Sequence, residues 1–182
     1  CTLCSYGKYG NKAGESSSSC TGLCNPGYYG QYGSTTANCT GICQTGRYST
    51  GGAGSCSYCT NGRFGNTTGL TTAACSGLCA AGKYSTSSDV ASCTDCAGGS
   101  ITNTLASPGA NTCTPCAAGK YSAAGAPTCT NCGAGKYNSE TGADAVSHCL
   151  DCAYGTYTNN HGQWSCKICP ERMTLSRFQN SL

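Results

Sequence analysis

Twenty cysteines arranged in ten close pairs are the residues of this 182-residue sequence that could do chemistry. Seven pairs are spaced C-x-x-C and three are spaced C-x-x-x-C; they are Cys1/Cys4, Cys20/Cys24, Cys39/Cys43, Cys56/Cys59, Cys75/Cys79, Cys93/Cys96, Cys113/Cys116, Cys129/Cys132, Cys149/Cys152 and Cys166/Cys169. Thiols at this spacing can ligate a metal, exchange disulfides or cross-link the chain. The residues around the pairs decide among these three kinds of chemistry.

Zinc ligation is the sharpest alternative to cross-linking. Successive pairs are separated by distances close to those of a zinc ribbon, and four thiolates from two pairs could hold Zn²⁺ tetrahedrally. However, three pairs are spaced C-x-x-x-C, one residue longer than the C-x-x-C of the usual zinc knuckle. The Ser- and Thr-rich, weakly charged context is also typical of an extracellular chain. Zinc-binding repeats therefore stay a minor alternative, and we expect no metal and no cofactor.

Catalysis is not expected either. A thioredoxin-type site needs one distinct C-x-x-C at a helix N-terminus to lower the thiol pKa, whereas this chain has ten near-equivalent pairs and no βαβ pattern. His148 and His161 are the only histidines, and no nucleophile stands in a catalytic spacing to them. The sequence therefore predicts that the protein is not an enzyme and has no catalytic residues.

The composition indicates a chain held together by sulfur. Leu, Ile, Val and Phe total 15 of 182 residues, about 8%, and a self-standing core usually needs more than about 20%. Cysteine at about 11% is typical of a disulfide scaffold and of an oxidising compartment, which predicts a secreted or cell-surface protein. The net charge of +3 is too small to indicate nucleic acid, and no apolar run is long enough to span a membrane in this segment.

A short motif recurs after the second cysteine of nine pairs. A glycine follows at the third position and an aromatic residue or Ile two residues later; the motifs are Gly7/Tyr9, Gly27/Tyr29, Gly46/Tyr48, Gly62/Phe64, Gly82/Tyr84, Gly99/Ile101, Gly119/Tyr121, Gly135/Tyr137 and Gly155/Tyr157. We expect positive φ at the glycine and an aromatic ring packed near a disulfide. The fold class predicted is small disulfide-rich repeats, forming an extended rod of tandem irregular two-stranded β ribbons with little core and almost no helix.

A longer period groups the pairs by two. The first, third, fifth, seventh and ninth pairs begin 36 to 38 residues apart. This period predicts cysteine-rich units over 1–38, 39–74, 75–112, 113–148 and 149–169, followed by a tail over 170–182. In the tail, Leu175, Phe178 and Leu182 have the spacing of a short helix that could dock on the last unit or on a partner. A plain linker is the alternative interpretation.

Spacing alone leaves the disulfide pairing open. The two-pair unit favours bonds from the first cysteine to the third and from the second to the fourth, which predicts Cys1–Cys20, Cys4–Cys24, Cys39–Cys56, Cys43–Cys59, Cys75–Cys93, Cys79–Cys96, Cys113–Cys129, Cys116–Cys132, Cys149–Cys166 and Cys152–Cys169. This pattern uses every cysteine. The competing pattern joins the second cysteine of each pair to the first of the next, as in Cys4–Cys20 and Cys24–Cys39, and leaves Cys1 and Cys169 unpaired.

The stretch from Cys113-Thr-Pro-Cys-Ala-Ala-Gly-Lys-Tyr-Ser to Cys129-Thr-Asn-Cys resembles the ephrin-receptor-like cysteine-rich repeats, which are distantly similar to tumour-necrosis-factor-receptor modules. The resemblance extends over residues 1–169. It implies an extracellular stalk, adhesion protein, receptor ectodomain or protist surface protein. The abundance of Ala, Gly, Ser and Thr is more similar to protist or algal surface and filament proteins.

Two further patterns indicate surface contacts. Six basic residues lie between the repeat glycine and the aromatic position: Lys8, Arg47, Arg63, Lys83, Lys120 and Lys136. These repeat cations could form a stripe for an acidic polysaccharide or a partner chain, or they could be solvated residues whose stems lie along the ribbon. Asn66 and Asn38 begin N-glycosylation sequons, and Asn38 is followed directly by Cys39, which could hinder modification.

These observations lead to one functional hypothesis and one alternative. The hypothesis is a structural extracellular protein, a glycosylated segment of a surface filament, flagellar hair, coat or wall that associates with itself or with other structural chains. The alternative is a receptor or adhesin stalk that binds a protein or glycan ligand.

Overall fold

The computed structural model describes residues 3–12, 20–86, 90–105 and 107–170. Very short strands make up its regular structure: β1 (Lys8–Tyr9), β2 (Gly22–Leu23), β3 (Tyr28–Tyr29), β4 (Gly41–Ile42), β5 (Arg47–Tyr48), β6 (Ser57–Tyr58), β7 (Arg63–Phe64), β8 (Gly77–Leu78), β9 (Lys83–Tyr84), β10 (Thr94–Asp95), β11 (Ser100–Thr102), β12 (Cys113–Pro115), β13 (Lys120–Tyr121), β14 (Thr130–Asn131), β15 (Lys136–Tyr137), β16 (Leu150–Asp151), β17 (Thr156–Tyr157) and β18 (Lys167–Ile168). Within these ranges one 3-10 turn, Val146–His148, is the sole helical element. No helix there has the length and apolar character needed to cross a membrane.

Consecutive strands pair into nine two-stranded ribbons, from β1 with β2 to β17 with β18. In each ribbon the first strand starts directly after the repeat glycine, and the second strand ends at or just before the second cysteine of the next pair. In the first ribbon Lys8 faces Leu23 and Tyr9 faces Gly22 across an antiparallel register. The predicted class of tandem, disulfide-rich β ribbons with almost no helix is confirmed, while the extended rod stays a prediction.

Nine disulfides join the second cysteine of each pair to the first cysteine of the next: Cys4–Cys20, Cys24–Cys39, Cys43–Cys56, Cys59–Cys75, Cys79–Cys93, Cys96–Cys113, Cys116–Cys129, Cys132–Cys149 and Cys152–Cys166. Each closes a loop with a sequence separation of 13 to 17. We number the repeats by these loops, so that the first starts at Cys4 and the ninth at Cys152. Cys169 has a free thiol.

The pairing favoured by the sequence is therefore wrong. Its ten bonds were Cys1–Cys20, Cys4–Cys24, Cys39–Cys56, Cys43–Cys59, Cys75–Cys93, Cys79–Cys96, Cys113–Cys129, Cys116–Cys132, Cys149–Cys166 and Cys152–Cys169, and in each of them at least one cysteine has another partner. The zinc-binding alternative is also wrong for the cysteines from Cys4 to Cys166, because their thiols are oxidised to disulfides.

The ribbon explains why neighbouring pairs are joined in this way. Cys24 N–H donates a hydrogen bond to Gly7 O over 2.9 Å, which holds the second cysteine of a pair beside the glycine turn of the preceding repeat. The first cysteine of that pair, Cys20, precedes β2 and is bonded to Cys4. Each disulfide therefore closes one loop between neighbouring pairs, whereas the favoured pairing joins cysteines at the same position in the two pairs of a unit.

All nine repeat glycines have positive φ, between 76° and 83°, as predicted. A second constraint acts on several of them, because a loop from two repeats further along the chain lies against the glycine. A β-carbon added to Gly62 would lie 2.1 Å from Gly109 O, and one on Gly119 would lie 2.2 Å from Gly162 O. The same contact joins Gly7 to Gly52, Gly27 to Gly69, and Gly99 to Gly142. The loops thus interlock through backbone contacts that only glycine permits.

The described residues fall into two compact units. The first unit comprises Cys1–Asp95 with Thr102–Thr112, and the second comprises Cys96–Ile101 with Cys113–Leu182. In both, most of the buried residues are second cysteines of the pairs or the polar residue that follows the aromatic position, such as Ser49 in the first unit and Ser122 in the second. Ala110 in the first unit and Ile101, Ala143 and Cys149 in the second are buried as well. The division into five two-pair units stays a prediction. The predicted tail helix at Leu175, Phe178 and Leu182 lies outside the described residues.

Candidate interaction surface

The ribbon register sets each repeat cation beside one particular neighbour. The cation lies at the start of the first strand, and the residue opposite it stands immediately before the second cysteine of the next pair. The resulting cross-strand pairs are Lys8 with Leu23, Arg47 with Tyr58, Arg63 with Leu78, Lys83 with Asp95, Lys120 with Asn131, and Lys136 with Asp151. The identity of the opposite residue therefore decides the character of each ribbon.

Apolar partners dominate the first unit. Leu23 is 61% exposed and Leu78 is 45% exposed, and Ile42 occupies the equivalent position opposite Tyr28. The Arg47 guanidinium lies 4.3 Å from the centroid of the Tyr58 ring, a distance at which cation and ring attract each other. We refer to the following side chains together as the apolar–cationic surface: Lys8, Leu23, Ile42, Arg47, Tyr58, Arg63 and Leu78.

Acidic partners neutralise other repeat cations. Lys83 Nζ lies 2.7 Å from Asp95 Oδ1, and Lys136 Nζ lies 2.6 Å from Asp151 Oδ1. Both pairs are substantially exposed, so each adds only about 0–1 kcal/mol to stability, but each reduces the positive charge offered to an anion. The six repeat cations are thus unequal, and a continuous stripe stays a prediction. The sequence did not predict these two ion pairs, although each aspartate directly precedes the second cysteine of a pair.

Two equivalent grooves lie in the first unit. One has a volume of about 530 Å³ and is lined by Tyr29, Ile42 and Arg47 among others. The other has a volume of about 430 Å³ and is lined at the equivalent positions by Phe64, Leu78 and Lys83. Each groove follows a C-x-x-x-C pair, whose extra residue lengthens the linker between loops. The aromatic ring, the aliphatic side chain and the Arg47 guanidinium of the first groove together suit a ligand that has both an apolar face and a negative charge, whereas Lys83 in the second groove is paired with Asp95.

The Asn66 sequon lies in an exposed segment after β7. Ser76 Oγ donates a hydrogen bond to Asn66 Oδ1 over 2.7 Å, and it accepts one from the backbone N–H of Asn66 over 3.0 Å. Asn11 makes the same pair of contacts with Thr21 without being in a sequon, so this side chain has a structural role apart from any glycan.

Asn38 is also exposed, and its Oδ1 accepts a hydrogen bond from Asn25 Nδ2 over 3.0 Å. It directly precedes Cys39, which is bonded to Cys24. Glycosylation at Asn66 and at Asn38 stays a prediction.

The structure also brings together three titratable residues that the sequence reading left apart. His148 Nε2 lies 3.2 Å from Asp144 Oδ1, and His148 Nδ1 lies 3.7 Å from Glu140 Oε2, all at the surface of the second unit. Among the described residues, no group of three or more His, Cys, Asp or Glu side chains is arranged to hold a metal ion. The expectation that the protein is not an enzyme stays a prediction.

Comparison with known families identifies the type of repeat. Residues 104–149 and 144–178 match the family described as "Tyrosine-protein kinase ephrin type A/B receptor-like", which confirms the resemblance of the Cys113–Cys132 stretch. No curated protein matches the chain. The matched segment is similar to ephrin-receptor-like cysteine-rich repeats, and disulfide-closed loops precede it in the chain. Repeats of this type, together with nine disulfides, indicate an extracellular or cell-surface protein with a receptor-like or structural role.

Proposed function

We propose that this chain is a structural segment of a glycosylated extracellular assembly such as a surface filament, flagellar hair, coat or wall. The premise is its similarity to ephrin-receptor-like repeats. The chain associates with itself or with other structural chains through the apolar–cationic surface of the first unit. The observation that carries the proposal is the exposure of a large apolar side chain at the same ribbon position in successive repeats, namely Leu23, Ile42, Tyr58 and Leu78.

Repetition gives this position its significance. A single exposed leucine needs no explanation, whereas a recurrent set of exposed apolar side chains is typical of an interaction surface. A partner chain with a matching repeat could engage several ribbons at once, and the individually weak contacts would then add through their high effective concentration. Cations beside the apolar groups add selectivity for a partner with acidic groups.

Sedimentation velocity and negative-stain electron microscopy of the oxidised protein test this proposal. We expect the wild type to form larger species as concentration rises, and the double variant Leu23→Ser/Leu78→Ser to lose them. The matched control is Val146→Ser/Leu150→Ser, which removes two exposed apolar side chains from the second unit and should leave association unchanged. A wild type that stays monomeric at every concentration, or equal association of both double variants, would contradict the proposal.

The alternative function, a receptor or adhesin stalk, is favoured by the two grooves and by the repeat cations with apolar partners. In that case the protein is a monodisperse monomer that binds an acidic glycan. Heparin chromatography is a direct test, in which Lys8→Ser/Arg63→Ser should elute at lower salt than the wild type. Lys136→Ser is the control, because the Asp151 carboxylate already neutralises Lys136. No retention of the wild type would contradict this alternative.

A further inference from the structure

The aromatic ring of the second repeat lies against a glycine of its own ribbon. Tyr29 faces Gly41 in the register of β3 and β4, and a β-carbon on Gly41 would lie 3.3 Å from Tyr29 Cε1 and 3.4 Å from the hydroxyl oxygen. The Tyr29 side chain is half-buried and also lines the first groove. The bare backbone of Gly41 therefore supports one part of the ring, while another part forms a wall of the groove.

The same arrangement recurs in ribbons that end at a C-x-x-x-C pair. A β-carbon on Gly22 would lie 3.1 Å from Tyr9 Cε1, and one on Gly77 would lie 3.8 Å from Phe64 Cε1. Each of the three longer pairs has a central glycine, in Cys-Thr-Gly-Leu-Cys at 20–24, Cys-Thr-Gly-Ile-Cys at 39–43 and Cys-Ser-Gly-Leu-Cys at 75–79. An aromatic residue opposite a glycine packs on backbone that would otherwise be bare, so the longer pairs hold their rings in a defined place.

Polar groups surround the Tyr29 ring in the first groove. Gln31 and Gln44 are exposed and contribute side-chain amides, and Arg47 contributes a guanidinium. Tyr58 positions this guanidinium, because Arg47 Nη2 donates a hydrogen bond to the Tyr58 hydroxyl over 3.2 Å and Arg47 Cζ lies 4.3 Å from the centroid of the ring. The groove therefore combines an aromatic wall, two amides that can both donate and accept hydrogen bonds, and a planar cation.

The second groove has a different polar lining. Phe64 occupies the position of the aromatic ring, but Ala80 stands where Gln44 stands in the first groove, and the described lining contains no side-chain amide. Lys83, the cation of this groove, already has the Asp95 carboxylate 2.7 Å from its Nζ. The second groove therefore suits an apolar side chain of a peptide, whereas the first suits a ligand that has hydroxyl groups and a negative charge.

A pyranose sugar that carries a carboxylate has the chemistry of the first groove. Its C–H face is apolar and can pack on an aromatic ring, and its hydroxyl groups can exchange hydrogen bonds with amides. A planar carboxylate matches the geometry of a guanidinium. The volume of about 530 Å³ lies within the range of about 300–1,000 Å³ that is typical of small-ligand sites.

The geometry points to a binding site for a uronic acid unit of a polysaccharide in the first groove. The sugar ring packs on Tyr29, its hydroxyl groups bind the amides of Gln31 and Gln44, and its carboxylate binds the Arg47 guanidinium. This inference deepens the alternative function, a stalk that binds an acidic glycan, and rests on it, but it assigns recognition to one groove and to one class of sugar.

An NMR titration of the oxidised full chain with digalacturonic acid, and in parallel with the uncharged α-1,4-linked galactobiose, tests the site. We expect the wild type to bind the acidic sugar more tightly, and Arg47→Gln to weaken that binding by about tenfold without affecting the uncharged sugar. Tyr29→Leu and the exposed substitution Gln44→Ala should weaken the binding of both sugars. The matched control is Phe64→Leu, the same kind of change in the second groove, which should leave both affinities as they are.

Three results would overturn the inference: no binding of either sugar, equal affinity of the wild type for both, or equal losses in Tyr29→Leu and Phe64→Leu. An unchanged disulfide map verifies that each variant has folded. Lys8 and Arg63 are not among the described residues that line the first groove, so Lys8→Ser/Arg63→Ser should keep the affinity for digalacturonic acid. A protein that heparin retains but that does not bind digalacturonic acid overturns the site alone, whereas loss of both overturns the alternative function as well.

Discussion

Gly62 and Gly109 are in backbone contact although 47 residues separate them in the sequence, and a β-carbon on Gly62 would lie 2.1 Å from Gly109 O. Gly62 also has a φ of 79°. Two independent requirements, a left-handed backbone and the absence of a side chain, therefore act on the same residue. This contact shows that each loop is positioned by a loop two repeats away as well as by its own disulfide.

Replacement of Gly62 by Ala should be more destabilising than the same replacement at Gly155. Both residues have positive φ, which costs an alanine about 1–2 kcal/mol, but only Gly62 has a carbonyl oxygen where the new β-carbon must go. The additional overpacking should cost about 1–3 kcal/mol. Guanidinium unfolding of the two oxidised variants measures the difference, and equal losses would mean that the loops do not interlock.

The disulfide pattern predicts specific cross-linked peptides. Digestion of the unreduced protein with trypsin and chymotrypsin should release peptide 59–63 joined to peptide 71–78 through Cys59–Cys75. The pairing of first to third and second to fourth cysteines would instead link 59–63 to a fragment that contains Cys43. Mass spectrometry before and after reduction distinguishes the two patterns, and the sample reduced before digestion serves as the control.

Removal of the acidic partners should strengthen the binding of anions. Asp95→Asn and Asp151→Asn each release a lysine from its ion pair while keeping the size of the side chain, so the double variant should elute from heparin at higher salt than the wild type. Because the pairs are exposed, its unfolding free energy should change by less than about 1 kcal/mol for each pair. Glu140→Gln/Asp144→Asn removes the same two negative charges from a site that contains His148 and no lysine, and an equal shift in that variant would show that the pairing of the lysines is irrelevant.

The Asn66 sequon allows the glycan to be separated from the side-chain contact. Thr68→Ala removes the acceptor signal but leaves the Asn66–Ser76 hydrogen bonds intact, so protein secreted by eukaryotic cells should lose one glycan mass without losing the ribbon. Asn66→Ala should remove the glycan and also lower the unfolding free energy, by about 1 kcal/mol for the lost hydrogen bonding. Identical intact masses for the wild type and Thr68→Ala would show that Asn66 is unmodified.

Sequence reasoning predicted the features that depend on local chemistry. The conformation of Gly7 and its eight equivalents follows from the tight turn that each loop requires, and the two-stranded ribbons follow from the short alternation of Gly, cation and aromatic residue. These are preferences of a few adjacent residues, and a repeat displays each of them nine times. Burial of sulfur in place of aliphatic side chains follows equally from the composition.

Contacts between different loops could not be predicted in the same way. Cys24 lies at similar sequence distances from the pairs on both sides, so spacing does not distinguish a bond to Cys39 from a bond to Cys4. The preference for the bond to Cys4 rested on the two-pair sequence period and on the use of every cysteine, and neither criterion has a physical connection to the ribbon that closes the loop. The salt bridge between Lys83 and Asp95 was missed because the two residues face each other only once the ribbon register is known.

The disulfides also determine which covalent path carries a pulling force. Because Cys24–Cys39 and its equivalents close each loop at its base, tension applied to the two ends passes across the sulfur bridge and along the two or three residues that join consecutive loops. The residues inside a loop bear no load while the bridge is intact. Reduction of a single bridge would lengthen the chain by about 3.3–3.6 Å for each residue that the loop had enclosed, so the redox state of the surroundings sets how far this protein can stretch.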